Sequence, residues 1–173
     1  ILAHQGLWPP RASAGKSAVL DYVRHVGCVQ FDPLNMVGHN TELVFQSRVS
    51  DFQPDVLQDL LYQERNLVDG WDKNASIYCV EDWPYFGRYR QAAQKGFGKS
   101  HEEVQEVLPQ VRQALDERGP LSSIDLDFDR TVDWGWAPTR LARAALDSMY
   151  AWGELVIHHR VGTRKVYDYA HRH

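Results

Sequence analysis

Gln30 and Asp32 are side chains that can hold a water molecule and help cleave a bond, and they stand two residues apart at Gln30-Phe31-Asp32. They end a short apolar run, Cys28-Val29, which follows a predicted helix that stops at Gly27. Side chains of a strand alternate between its faces, so Gln30 and Asp32 would share one face, and Val29 and Phe31 the other. A carboxylate accepts hydrogen bonds and can take a proton from water. An amide donates and accepts but is no base near neutral pH. The competing reading is a turn, with the Asp32 carboxylate capping backbone N–H groups ahead of Pro33.

The elements that must position this pair are legible in the apolar spacing. Lys16–Val26 reads as a helix with Val19, Leu20, Val23 and Val26 on one stripe. A helix is expected over His39–Arg48 with Leu43 and Val44 as its apolar positions. Another starts at Gln53-Pro54, burying Val56, Leu57, Leu60 and Leu61. Leu67-Val68 and Ala75–Val80 form a hairpin, turning at Asp69-Gly70 or at Lys73-Asn74. Glu81–Gln94 reads as a helix whose aromatics Tyr85, Phe86 and Tyr89 pack inward. Gly96, Gly98 and Ser100 mark a loop. His101–Arg118 is helical, with Pro109 expected to kink or split it.

The order then recurs. A short helix begins at Leu121-Ser122-Ser123, and a longer one spans Pro138–Trp152. A hairpin follows, Leu155–His159 with Arg164–Tyr169. The fold class is therefore α+β and mainly helical: two tandem winged helix-turn-helix modules with short β-hairpin wings. The first covers residues 1–98 with a trailing aromatic helix, the second 99–173. Ile1–Gly6 reads as the last turn of a helix closed by Gly6, and the chain as a fragment.

The 173 residues carry net charge -4, which does not advertise nucleic acid. The distribution says more. Residues 101–133 hold nine acidic and three basic side chains, whereas 134–173 hold three acidic and six basic, plus four histidines. Thr139, Arg140 and Arg143 would face outward on the second module's long helix, and Arg160, Arg164 and Lys165 would line its wing. That is an arrangement suited to DNA phosphates, or to a solvated basic hairpin. His158 and His159 would point to opposite sides of a regular strand. Cys28 and Cys79 lack metal-ligand spacing and read as reduced, buried thiols. With no membrane-length apolar run and no signal-peptide pattern, a cytoplasmic protein is expected.

Several stretches together resemble one family: His25–Asn35, Leu43–Arg48, Gly70–Ile77, Glu81–Tyr85 and Arg164–Asp168. They are similar to the AlkZ/YcaQ family of bacterial winged-helix DNA glycosylases, closer to the YcaQ-like branch. The resemblance covers nearly the whole chain. It implies tandem winged helices followed by a β-rich domain that this chain lacks, and an activity that is weak or lost in the fragment. It implies release of N-alkylated purines from double-stranded DNA, including unhooking of interstrand crosslinks, without metal or organic cofactor. The family's Gln-x-Asp catalytic motif maps onto Gln30 and Asp32. Arg48 and Lys73 become DNA contacts, Arg48 with an acidic partner as its alternative. Trp71 would border the lesion or lie in the core, and His4 and Gln5 would approach from a helix end. Two departures concern substrate range: Met36–Asn40 is less basic than in many relatives, and Lys73-Asn74 stands where many have His-Glu. The protein is expected to be monomeric. The rival reading is a non-catalytic winged-helix DNA-binding protein, such as a transcription regulator, or a protein-docking module.

Overall fold

The structure, a computed structural model, describes residues 1–8, 13–32, 36–72, 74–96, 101–135 and 137–173. The Pro9-Pro10 stretch, the residues Pro33 to Asn35, Lys73 and the Gly98–Ser100 loop lie outside the described residues. Helix and small antiparallel sheets are mixed along the chain, which divides into two compact units, Ile1–Tyr85 and Phe86–His173.

The first unit is built on α1 (Gly15–Val26), β1 (Val29–Gln30), α2 (Asn40–Gln46), α3 (Pro54–Gln58), β2 (Leu67–Trp71) and β3 (Ala75–Cys79). Helix α1 buries Ala18, Val19 and Val23 and ends at Gly27, whose φ of 83° only glycine adopts without strain. Pro54 opens α3, which runs on into a π turn over Asp59–Gln63. Together they bury Leu57, Leu60, Leu61 and Tyr62 rather than Val56. In α2 the buried side chains are Thr41 and Phe45, while Leu43 and Val44 sit nearer solvent. The phase of a seven-residue helix rests on two apolar positions, so the aromatic ring decided it. Phe45 packs on Phe52, ring centres 5.4 Å apart, and edge-on to Tyr22.

The three strands form one antiparallel sheet in the order β1-β3-β2. Asp69 and Gly70 lie inside β2, and the reversal falls between Trp71 and Ala75. Gly70 is required by its neighbour. A Cβ there would stand against the Tyr78 ring, 2.6 Å from its hydroxyl oxygen. Asp69 is buried and accepts a hydrogen bond from the Tyr62 hydroxyl at 2.7 Å.

In the second unit come α4 (Gly87–Gln94), α5 (His101–Arg118), β4 (Thr131–Val132), β5 (Thr139–Arg140), α6 (Leu141–Ala151), β6 (Leu155–Val161) and β7 (Arg164–Tyr169). The expected helix over Glu81–Gln94 is instead a 3-10 segment, Val80–Phe86, followed by α4. Pro84 lies inside the tighter segment, where its missing N–H breaks the α-helical ladder. Contrary to expectation, α4 belongs with the second unit: the Trp152 indole N–H donates to the Ala93 carbonyl at 2.9 Å. Helix α5 is continuous through Pro109. The proline ring is exposed, and Val104, Leu108, Val111 and Leu115 are buried on the other side. Burial of that stripe holds the helix despite the lost hydrogen bond.

Ser122 caps a single 3-10 turn, Ser123–Asp125, in a capping box with Asp125. Just before it, Leu121 exchanges two backbone hydrogen bonds with Tyr167 of β7, at 3.0 and 2.8 Å. The extended segment after α5 thus pairs with the second strand of the closing hairpin, as β1 after α1 pairs with β3 in the first unit.

Gly70→Ala should lower stability by about 1–3 kcal/mol, the usual scale of overpacking. Urea unfolding should show an earlier midpoint with an unchanged slope. An unchanged midpoint would mean that Tyr78 gives way freely.

Candidate functional site

Gln30 is held by its main chain and offered by its side chain. It pairs with Ser76 across the ladder while Val29, buried, pairs with Ile77. The ladder ends one residue later, with the Phe31 N–H donating to the Ala75 carbonyl at 2.8 Å. The Gln30 carbonyl accepts from the Asn40 amide and from the buried Thr41 hydroxyl, each at 3.2 Å. Its side chain is exposed. Because β1 has only two residues, alternation fixes Val29 and Gln30, and its warrant stops at Phe31. Asp32 follows beyond the ladder, half-exposed.

The same register locates the surroundings. Gln30, Ser76 and Gly70 form one row across the sheet. Trp71 pairs with Ala75, one residue out of phase, so its side chain leaves from the other face. It is 54% exposed, not in the core. Cys28, just before β1, donates its thiol to the Asp72 carboxylate at 3.7 Å. Burial, then the Asp72 charge, pushes that thiol up. Burial likewise pushes the Cys79 thiol up, to about 11. Both cysteines are free. Lys73 lies outside the described residues. Met36 and Val37, each 88% exposed, follow the motif on a segment that returns to Gln30 through Asn40 and Thr41.

The N-terminal turn closes as the sequence suggests. Leu7 N–H reaches the Leu2 carbonyl and Gly6 N–H the Ala3 carbonyl, with Gly6 at φ 68°. Its backbone is tied to helices, however. The His4 carbonyl lies 2.8 Å from His25 Nε2, and the Gln5 carbonyl accepts from Arg48 Nε at 2.8 Å. A hollow of about 250 Å3 is lined there by His4, Trp8, Asp21, Tyr22, His25 and Arg48 among others. Gln30 and Asp32 are not among the described residues lining it. Arg48 also donates to the Val44 carbonyl and the Ser47 hydroxyl and lies 4.9 Å from the centre of the Tyr22 ring. Its guanidinium clamps the N-terminal turn to α2. A basic residue just past a helix end commonly bonds the last carbonyls, and that signal was present in the sequence.

The basic residues of the second unit are mostly paired. Thr139 and Arg140 sit on β5, ahead of α6, not on its outward face. Arg140 donates to Asp129 at 2.7 Å. Arg143 on α6 is 3.5 Å from Asp147. Lys165 lies 3.0 Å from Asp147 and 5.0 Å from the Tyr150 ring centre. The Tyr167 hydroxyl donates to the same carboxylate at 2.6 Å. Arg160 donates to the Thr163 carbonyl at 3.5 Å, and Arg164 is exposed at the hairpin end. Asp147 is thus a hub that the charge count did not reveal. Its signals were the i, i+4 spacing to Arg143 and the i, i+2 spacing of Lys165 and Tyr167 on one strand face. His158 and His159 do not alternate. A bulge between Ile157 and His159 brings their Nδ1 atoms to 2.8 Å. One Nδ1 must then carry the proton and the other accept it. Among the described residues no group of His, Cys, Asp or Glu is arranged to hold a metal ion. No described helix is long and apolar enough to cross a membrane.

The Asp147 side chain is only 16% exposed. Burial raises its carboxyl, but Lys165, the Tyr167 hydroxyl and Arg143 outweigh this and hold it below its ordinary value of 3.8. A carboxyl lower in the fold than in the unfolded chain adds stability above the unfolded value and loses it as pH falls through the folded one. Lys165→Gln should therefore lower stability by about 1–3 kcal/mol at neutral pH, the scale for a charged hydrogen bond. The gap to wild type should close as pH falls below 3.8. Urea midpoints of both proteins across that range check this; a gap constant with pH would contradict it.

A family model described as DNA glycosylase AlkZ-like matches residues 23–173. No solved structure matches the chain. The match runs from within α1 through Gln30, Asp32 and the β2–β3 hairpin to the end of the second unit. It covers well over half of the chain and both structural units, and the chain belongs to the AlkZ-like DNA glycosylase family.

Proposed function

We propose that this chain hydrolyses the N-glycosidic bond of alkylated purines in duplex DNA, with Asp32 as the catalytic carboxylate and Gln30 as the group that positions water. Family membership supports a DNA-repair glycosylase acting on DNA. The finer reading is carried by one observation: Gln30 presents an exposed side chain from a main chain held on both sides, two residues from a half-exposed carboxylate.

Breaking an N-glycosidic bond builds positive charge on the sugar, as in glycoside hydrolysis. An N-alkylated purine already carries positive charge and departs without being protonated. A single carboxylate then suffices: it offsets the charge that develops on the sugar and orients or deprotonates the attacking water. Gln30 holds the same water as donor and acceptor and takes no proton. Interstrand crosslinks joined through such purines present the same bond and belong to the proposed substrate range.

The topology supports a second part of the proposal, that each unit is a winged helix. In both, an extended segment follows one helix, precedes the next helical elements and pairs with the second strand of the closing hairpin. On this reading the division of the chain into Ile1–Tyr85 and Phe86–His173 supports a module boundary between Tyr85 and Phe86.

Asp32→Asn in the intact protein should lower single-turnover release of an N7-alkylguanine by roughly 10²–10⁴-fold, the range for loss of a general base. Binding to the same duplex should stay near wild type. Gln30→Ala should give a smaller loss than Asp32→Asn. Wild-type release by Asp32→Asn would refute the assignment.

A further inference from the structure

The cations of the second unit are largely engaged within it. Arg112 holds Glu154 with two hydrogen bonds of 2.6 and 3.0 Å. Arg130 pairs with Glu106, Arg140 with Asp129, Lys165 with Asp147, and Arg172 with Asp116 and Asp168. Helix α4 differs. Its residues Gly87–Gln94 include no acid, and Arg88, Arg90 and the adjoining Lys95 make it a positive segment in a chain of net charge -4.

The helix has two distinct sides. Arg90 and Ala93 face the unit's interior: Arg90 lies where a Cβ on Gly153 would stand, and the Ala93 carbonyl accepts from Trp152. Arg88, Gln91, Ala92 and Lys95 fall at i, i+3, i+4 and i+7, on the outer side. With Gln94 they line a surface hollow. Tyr89, on the flank of the helix, is 68% exposed, although its aromatic ring was expected to pack inward. Arg88 and Lys95 are exposed, and neither forms an ion pair or side-chain hydrogen bond among the described residues.

We propose that this outer face of α4 is a contact for the DNA backbone, with Arg88 and Lys95 each neutralising a phosphate. The two cations lie about 10 Å apart along the helix axis, from the rise of 1.5 Å per residue. Duplex DNA presents a phosphate about every 1.7 Å of its axis, so both can be met at once. The contact carries no sequence information and sets position, as backbone contacts do. It rests on duplex DNA as the partner, not on the role of Asp32.

The test is binding of the intact protein to an undamaged duplex over a range of salt, for wild type, the double variant Arg88→Gln/Lys95→Gln, and Lys165→Gln. Two lost phosphate contacts should reduce the slope of log affinity against log salt by about 1.8, and weaken binding roughly 10–100-fold near 0.1 M salt. The double variant should melt as wild type does, since both side chains are exposed. Lys165→Gln should keep the wild-type slope. A wild-type slope in the double variant, or a slope lost only in Lys165→Gln, overturns the proposal. Excision persisting in Asp32→Asn would sink the catalytic assignment and leave this contact standing.

Discussion

The antiparallel pairing of β1 with β3 is the constraint on which the candidate site depends. Two residues of strand are marginal alone, and here they are the third strand of a sheet. Val29 is buried beside Ile77, so a slip of one residue would expose Val29 and bury the Gln30 amide. Asn40 and Thr41 then bind the Gln30 carbonyl from the start of α2. Gly70, two strands away in the same row, lets the Tyr78 ring lie on the sheet. A polar group thus stands on a backbone that it does not itself stabilise, as preorganised sites require.

Most of the architecture was legible because its signals were local. Gly27 stops α1, Pro54 opens α3, and both hairpins follow alternating runs. What was not legible depended on partners distant in sequence. Trp71 is two strands from Gln30, and only the register shows that it faces the other way. The bulge at His158 changes the faces of the hairpin without any glycine or proline to announce it. Pro109 was expected to kink or split α5, and the helix is not split, because the buried stripe on the opposite side outweighs one missing hydrogen bond. For the site itself, the pair Gln30 and Asp32 was visible as chemistry, whereas the locking of Gln30 by Asn40 and Thr41 was not.

Charge was the least transferable part of the reading. Counting placed a basic surface in residues 134–173, but the fold pairs much of it. Asp147 gathers Arg143, Lys165 and the Tyr167 hydroxyl, and Asp168 gathers Arg172 and His173. Arg48 likewise serves the Gln5 and Val44 carbonyls. Among the described residues, Arg88 on α4 and the adjoining Lys95 keep their charge exposed and outside any ion pair. An acidic chain can present a cationic face when its acids are consumed by its own arginines and lysines.

The central claim is that Asp32 offsets positive charge developing on the sugar. Its most direct measurement compares the affinity of the intact protein for two duplexes, one with a cationic pyrrolidine in place of the damaged nucleoside's sugar, the other with a neutral tetrahydrofuran. A mimic of the transition-state charge should bind at least ~100-fold more tightly than the neutral analogue. That preference should disappear in Asp32→Asn. Equal affinity of the wild-type protein for the two duplexes would contradict the account.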